Sequence, residues 1–251
     1  MKIYRPIKTN WITQVFGENK PCVQIGADGK ATTPFVIKNF PNDICPVGYK
    51  KFYPEIGMKG HNGIDMASYY GESVYFNVEE NVEWEASTEI DRDGGIGVNV
   101  RSKQPIALAS LPKEMIGSMN LAQRQYDKLD GKVYLFFRYW HLKGVNVYDK
   151  QPVKLGQVIG WTDSTGASSG NHLHFGAKVS DETSWFTLDG DNGYTGAFDP
   201  MPWYENKFVL DAEENNNGNI QELQLTVIQL ANKAIYLLKQ LIAAKKGRII
   251  N

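Results

Sequence analysis

Four histidines and one aspartate are the residues of this chain best suited to chemistry, and they fall in three short windows. The first, GNHLHF at 170–175, sets His172 and His174 one residue apart between a Gly-Asn turn and an aromatic. Alternate residues of a strand share a face, so both imidazoles would point to one side. Two imidazoles aimed at one point can hold a metal, or hold a metal and act on what it binds. The plainer alternative is a polar strand face on which histidine is incidental. The second window, KGHNGIDMAS at 59–68, spaces His61 and Asp65 four apart. Gly60, Asn62-Gly63 and the lack of flanking helix formers favour a loop running into a strand over a helix. Gly63 then permits the bend that returns His61 toward Asp65. Alone, this window reads as a surface turn with a capping aspartate. The third, YWHL at 139–142, ends the most apolar strand-like run, where a single histidine is most often a satisfied core residue. Jointly the three windows favour a metal. Zinc is well served by histidine nitrogen and carboxylate oxygen, with three protein ligands and a fourth position open. Two neutral imidazoles and one carboxylate leave such a site with residual positive charge, which acidifies water and polarises a carbonyl.

The elements that must position these residues read as β-strands. WITQVF (11–16), SVYFNV (73–78), GVNVRS (97–102), KVYLFFRYWHL (132–142) and HLHFGAKV (172–179) alternate or run apolar, separated by glycine-marked turns such as DRDGG (91–95) and GASSGN (166–171). The expected fold is mainly β, an antiparallel sheet domain, with a C-terminal α-helix. Two stretches read as insertions or long loops. Residues 18–56 carry five prolines and both cysteines and could form a wall or lid. Residues 103–131 interrupt two otherwise adjacent strands, with SLPKEMIGSMNLAQRQYDKL (110–129) as a short inserted helix. Cys22 and Cys45 could pair in an oxidising space, but two unpaired buried thiols are the default expectation.

The 251 residues suit one large domain or a domain with an appendage. A hydrophobic fraction of 42% with 22% charged residues is that of an ordinary globular chain, and a formal net charge of -1 argues against nucleic acid as a partner. The start, MKIYRPIKTNWITQVFGENK, has no apolar signal core, so no signal peptide is expected. No uncharged apolar run is long enough to span a bilayer.

The domain is expected over 1–205, a polar linker over 206–219 and an amphipathic heptad helix over 220–247. In that helix Ile220, Leu223, Val227, Leu230, Ala234, Leu237, Leu241 and Ala244 occupy a/d positions, while Ile228, Ile235, Leu238 and Ile242 widen the stripe. The last 32 residues hold five Lys/Arg against one Glu. Self-association or docking on a partner is favoured over folding back, with an anionic membrane surface a weaker third option and membrane contact not expected.

GHNGIDMA, YWHL and GASSGNHLHF, in this order, resemble the motifs of lysostaphin-type (LytM-like) zinc metallopeptidases, which cut peptide bonds in bacterial peptidoglycan. Their pattern is HxxxD, a histidine in a Tyr-x-His strand, then HxH after a Gly/Ser/Thr turn. The resemblance spans roughly 11–202, including WITQVFG, GESVY, PVKLGQVIG and FDP. It implies a duplicated-hybrid-motif type of β fold and Zn2+ as cofactor. Carried over by position, His61, Asp65 and His174 become the metal ligands, and His141 and His172 the catalytic pair. With no HExxH glutamate, an imidazole must activate water, and its pKa near 6.5 suits both taking and giving a proton. Which histidine is the base stays open. Tyr139, two before His141, would share its strand face and could line the cleft or pack. Asn171 is a second candidate cleft residue, standing where the family usually has Pro. Gly176 stands where Glu is frequent, and Asn19 where Arg is common. None of these positions is a ligand.

The implied function is a zinc endopeptidase acting on peptide stems or cross-bridges of peptidoglycan, as a bacteriophage lysin or virion tail-associated hydrolase. Such a protein is made in the host cytoplasm and acts on the wall as a virion part or after release. The heptad helix would serve as a homo-oligomer or tail-assembly device. The rival reading is a non-catalytic scaffold on the same fold that regulates other wall-acting proteins.

Overall fold

The computed structural model describes residues 1–37, 44–111, 131–181 and 190–212. Met1–Val209 is one compact unit, and of the second, Leu210–Asn251, only residues 210–212 are described. The heptad helix and the helix expected over 110–129 therefore lie outside the described residues, apart from the short turn Leu108–Ser110 and Leu111.

The unit is mainly antiparallel β. Its large sheet runs in the order Pro152–Val153, Trp84–Asp91, Gly95–Ser102, Lys132–Val145, His172–Ser180, Ile64–Ala67, Ile12–Gln14. Val158–Thr162 pairs with Lys132–Val145 and with Ser73–Tyr75. A smaller sheet joins Lys2–Arg5 to Val78–Glu79 and, in parallel, to Tyr204–Phe208. The strands flanking the 103–131 segment are hydrogen-bonded neighbours, with Val98 opposite Tyr139 and Val100 opposite Phe137.

Period-two alternation divides the central strand His172–Ser180 into two faces. Leu173, Phe175, Ala177 and Val179 enter the apolar core with Ile64, Met66, Phe137 and Tyr139, nearly all without solvent exposure. Each fully buried large side chain contributes about 1.5–3 kcal/mol. His172 and His174 lie on the other face, so core packing sets where they point. A one-residue slip of register would bury them in the apolar layer.

Three expectations are corrected. The run at 73–78 is two strands, Ser73–Tyr75 and Val78–Glu79. Asn77 separates them because its side chain binds the Tyr4 carbonyl and accepts from the Tyr139 hydroxyl at 2.6 Å. The 18–56 stretch is not a loop: Ala31–Ile37, Cys22–Ile25 and Tyr49–Lys51 form a three-stranded sheet in that order, followed by the helical turn Phe52–Glu55. Its prolines and glycines masked short strands. Finally, Cys22 and Cys45 are a disulfide and not free thiols. Cys22 lies at the start of the middle strand of this sheet, and the two Cα atoms are 5.6 Å apart, within disulfide reach.

Candidate metal centre and catalytic histidines

His174 and Asp65 face each other across the ladder between His172–Ser180 and Ile64–Ala67. His174 Nδ1 lies 3.0 Å from Asp65 Oδ1 and 3.0 Å from His61 Nε2, and His61 Nε2 lies 3.1 Å from Asp65 Oδ1. All three side chains are buried. His61 comes from the turn before the strand. Its backbone is held by the 15–18 segment, donating to the Glu18 carbonyl at 2.9 Å and accepting from Gly17 N–H at 2.8 Å.

The expected role of Gly63 is corrected: it has no left-handed backbone to bend the chain, and what matters is close approach. A Cβ there would sit 2.5 Å from the Phe175 carbonyl and 2.7 Å from His174 Cε1. The bare α-carbon is what lets His174 occupy the space beside it.

These three residues fit a metal on their own donor chemistry. The His61 Nδ1–H is directed to the Val15 carbonyl at 3.2 Å, which leaves Nε2 a lone pair. Asp65 brings another acceptor, so at most one proton, on His174 Nδ1, could stand among the three atoms. A divalent cation satisfies all of them. Their near-equilateral triangle also approaches the ~3.3 Å edge that tetrahedral binding at about 2.0 Å requires. Burial alone would raise the Asp65 carboxyl, but electrostatic attraction to the adjoining His61 and His172 imidazoles and hydrogen bonding with His174 and His61 hold it well below the usual range. Burial pushes His174 down to about 3, against the pull of Asp65, so it is neutral and able to ligate. Two nitrogens, one carboxylate and a buried setting fit Zn2+.

His141 and His172 stand beside this triangle. Their ring centroids are 4.5 Å apart, and that of His141 is 6.1 Å from that of His174. His172 Nε2 is 3.7 Å from Asp65 Oδ1. Each ring is oriented from behind: His141 Nδ1–H donates to the Thr165 carbonyl at 2.7 Å, and His172 Nδ1–H to the Gly170 carbonyl at 2.8 Å, with Ser168 Oγ at 3.1 Å. Both Nε2 atoms are thereby left as acceptors. Burial, reinforced by the neighbouring His172, lowers His141 to about 4, so it is neutral at pH 7.

The placement of His141 corrects the idea that it shares a face with Tyr139. Val98 pairs with Tyr139 but Ile96 pairs with Leu142, so the long strand carries an extra residue, a bulge, at this point. His141 takes up that residue with φ 65°, the left-handed region a non-glycine rarely visits. Regular alternation would have sent the imidazole into the core beside Tyr139. Tyr139 itself is fully buried, packed on Phe175 with centroids 5.3 Å apart, and lines no cleft. Asn171 is exposed on the turn before His172, its carbonyl accepting from Ser68 N–H.

Sequence reasoning missed the residues that buttress the site. Trp140 stacks on His174 with centroids 5.3 Å apart, and its indole N–H binds Glu89. It lies against Gly94 and Gly97, where added Cβ atoms would stand 2.4 and 2.5 Å from the indole. The DRDGG turn signalled glycines, but not that a tryptophan covers them. Thr165, Ser168 and Gly170 act largely through backbone carbonyls or a hydroxyl, for which the sequence has no distinctive signal.

Peptidase family M23 matches residues 122–184, which include His141, His172 and His174 but not His61 or Asp65. Glycyl-glycine endopeptidase ALE-1 of Staphylococcus capitis is 37% identical over 83 residues, 32% of this chain and 20% of that protein. Lysostaphin of Staphylococcus simulans is 40% identical over 65 residues, 26% of this chain and 11% of that protein. The chain thus spans a fifth or less of the length of these curated relatives. Among solved structures, the catalytic domain of lysostaphin from Staphylococcus simulans is similar at 25% identity and a TM-score of 0.38, covering 58% of this chain and 79% of that one. A zinc-containing peptidase from Vibrio cholerae is similar at 18% identity and a TM-score of 0.41, covering 71% of this chain and 37% of that one.

Proposed function

We propose that the chain is a lysostaphin-type (LytM-like) metallopeptidase of Peptidase family M23, a Zn2+-dependent endopeptidase hydrolysing peptide stems or cross-bridges of bacterial peptidoglycan. The observation that carries this reading is the triangle of His61 Nε2, Asp65 Oδ1 and His174 Nδ1, with two further imidazoles turned toward it. When bound, Zn2+ supplies Lewis acidity that polarises a carbonyl and brings water toward ionisation near neutral pH.

The protein's own groups do the rest. His141 and His172 present acceptor Nε2 atoms because their Nδ1–H groups are held by carbonyls. One of them takes the proton of the attacking water, and once protonated at Nε2 it is a donor for the departing amine. The other is placed to hydrogen-bond the oxygen on which charge develops when it carries a proton. Trp140 stacks on the His174 ring and helps to bury and orient it.

The test is mass analysis of fragments released from purified sacculi of different cross-bridge types. Fragments ending at one kind of peptide bond, formed only with zinc present, support the reading. A protein that binds zinc but releases nothing from any sacculus is the scaffold of the rival reading. A finer proposal, a bacteriophage lysin released at lysis or carried in a virion tail, is supported by the heptad pattern of 220–244 as an assembly helix. In that reading the protein is made in the host cytoplasm and meets the wall as a virion part or after release. A chain ending near Asn215 then sediments as a smaller species than the full chain, and equal sedimentation removes the assembly argument.

A further inference from the structure

Three large aromatic side chains stand in solvent at one end of the catalytic face: Trp11 is 68% exposed, Tyr69 77% and Tyr70 59%. Register places Trp11 there. His172 lies opposite Ala67, and the Ala67 N–H donates to the Trp11 carbonyl at 2.9 Å. Neighbouring Ile12 pairs with Met66, which is fully buried in the core. Ala67 and Trp11 therefore face the other way, to the side of Asp65 and His172. His172 pairs with Ala67, and the Trp11 carbonyl meets Ala67 from just before strand Ile12–Gln14, so the Trp11 backbone is roughly 10 Å from that of His172 at the usual strand spacing.

The two tyrosines are fixed to the same end. Thr162 Oγ1 donates to the Tyr69 carbonyl at 2.6 Å, Gly71 N–H donates to the Thr162 carbonyl at 2.8 Å, and the next residue, Asp163, pairs with His172. The Lys143 ammonium lies 4.4 Å over the Tyr70 ring. A single carboxylate ties both parts together: Glu72 accepts from Tyr69 N–H at 3.2 Å and from Thr9 N–H and Oγ1 at 2.7 and 2.8 Å. The platform is therefore ordered although its rings forgo burial worth about 1.5–3 kcal/mol each. An ordered, exposed aromatic patch continuous with an active site marks a place where ligand is held.

We infer that Trp11, Tyr69 and Tyr70 form a saccharide-stacking subsite that takes an N-acetylhexosamine ring of the glycan strand. The inference rests on the peptidoglycan reading above. Its argument is one of shape. Alanine and glycine of a stem or bridge offer a methyl group or less, which covers little of an indole. A pyranose offers a C–H face the size of a six-membered ring. Holding the glycan here sets how far from the sugar backbone the cut bond lies.

The test uses the full-length protein, metal-free, and peptide-free glycan strands in a binding titration. The parent binds them, W11A and Y69A combined weaken binding about tenfold or more, a loss of ~1.4 kcal/mol, and W11Y retains most of it. With zinc, the double variant loses at least about tenfold more hydrolysis on intact sacculi than on sugar-free cross-linked peptides. No binding of glycan strands by the parent overturns the inference. So do equal losses on the two substrates, which make the patch a peptide subsite, and self-association abolished by the double variant, which makes it a contact between copies. A parent that binds glycan strands through these rings yet cleaves neither substrate upholds the subsite and defeats the endopeptidase reading instead.

Discussion

His174 reaches the centre of the site from a regular strand, directly across the ladder from Asp65, whereas His141 reaches it from a bulge in left-handed backbone. The first arrangement is what pleat and register give any well-packed antiparallel pair, and the core residues Ile64, Met66, Leu173 and Phe175 enforce it. The second departs from alternation, and hydrogen bonds hold it: His141 N–H to the Gly94 carbonyl at 2.9 Å, Asp163 N–H to the His141 carbonyl at 3.0 Å, and Nδ1–H to Thr165. The comparison teaches that His174, Asp65 and His172 are placed by the fold's ordinary repeat. His141 is placed by a local exception that loops must stabilise.

The sharpest break of this division is His174→Ala. It removes a ligand from the ladder, and the expected result is loss of bound zinc by elemental analysis and wall hydrolysis at background. Next come the catalytic histidines. His172→Ala is expected to keep the zinc and lose turnover by about 10²–10⁴-fold. At position 141 the cleaner variant is His141→Asn, because asparagine tolerates φ near 60° and alanine would mix backbone strain with the lost imidazole. It too should keep the metal and lose turnover. If either variant loses zinc as readily as His174→Ala, the two halves are not separable.

A smaller effect is expected of Gly63→Ala. Its Cβ would press on the Phe175 carbonyl and the His174 ring. Thermal unfolding should show about 1–3 kcal/mol of lost stability, with weaker zinc binding in proportion. The smallest is a pH effect on the metal-free protein. Burial lowers His141 to about 4 and His174 to about 3, below the 6.5 of an unfolded chain. Between pH 6.5 and 4 the unfolded state binds more protons, so stability falls as pH falls through this window. The slope is on the order of 1 kcal/mol per pH unit for each histidine. Calorimetry of metal-free protein across that range checks the sign, and zinc should steepen the dependence, because binding holds its imidazole ligands proton-free in the folded state and is lost as they protonate.

What was legible in the sequence follows the same line. Alternation in HLHFGAKV and the apolar KVYLFFRYWHL run exposed the central strands, because period two survives wherever one face is core. The metal-ligand triad could be carried over from motif spacing, since His61 and Asp65 are near in sequence and HLH sits on one strand. The bulge was not legible: YWHL has the same letters whether or not an extra residue is inserted, and the partner strand decides. Between the two readings of Tyr139, cleft or packing, its full burial decides for packing. The three-stranded sheet of 22–51 and its disulfide were hidden because short strands, one with Pro34 inside it and one ending just before Gly26, carry too little pattern. The pairing of Cys22 with Cys45 depends on that sheet. Nothing in the sequence marks Trp11, Tyr69 and Tyr70 as exposed, because exposed and buried aromatics look alike there.

The central claim is that His61, Asp65 and His174 converge on one ion. Its most direct test is a crystal structure of the zinc-loaded protein with anomalous scattering recorded at the zinc edge. The account predicts a single strong peak about 2.0–2.2 Å from His61 Nε2, Asp65 Oδ1 and His174 Nδ1. His141 and His172 should lie beside it without ligating. A peak elsewhere, or one ligated by His172 in place of His174, would contradict the account.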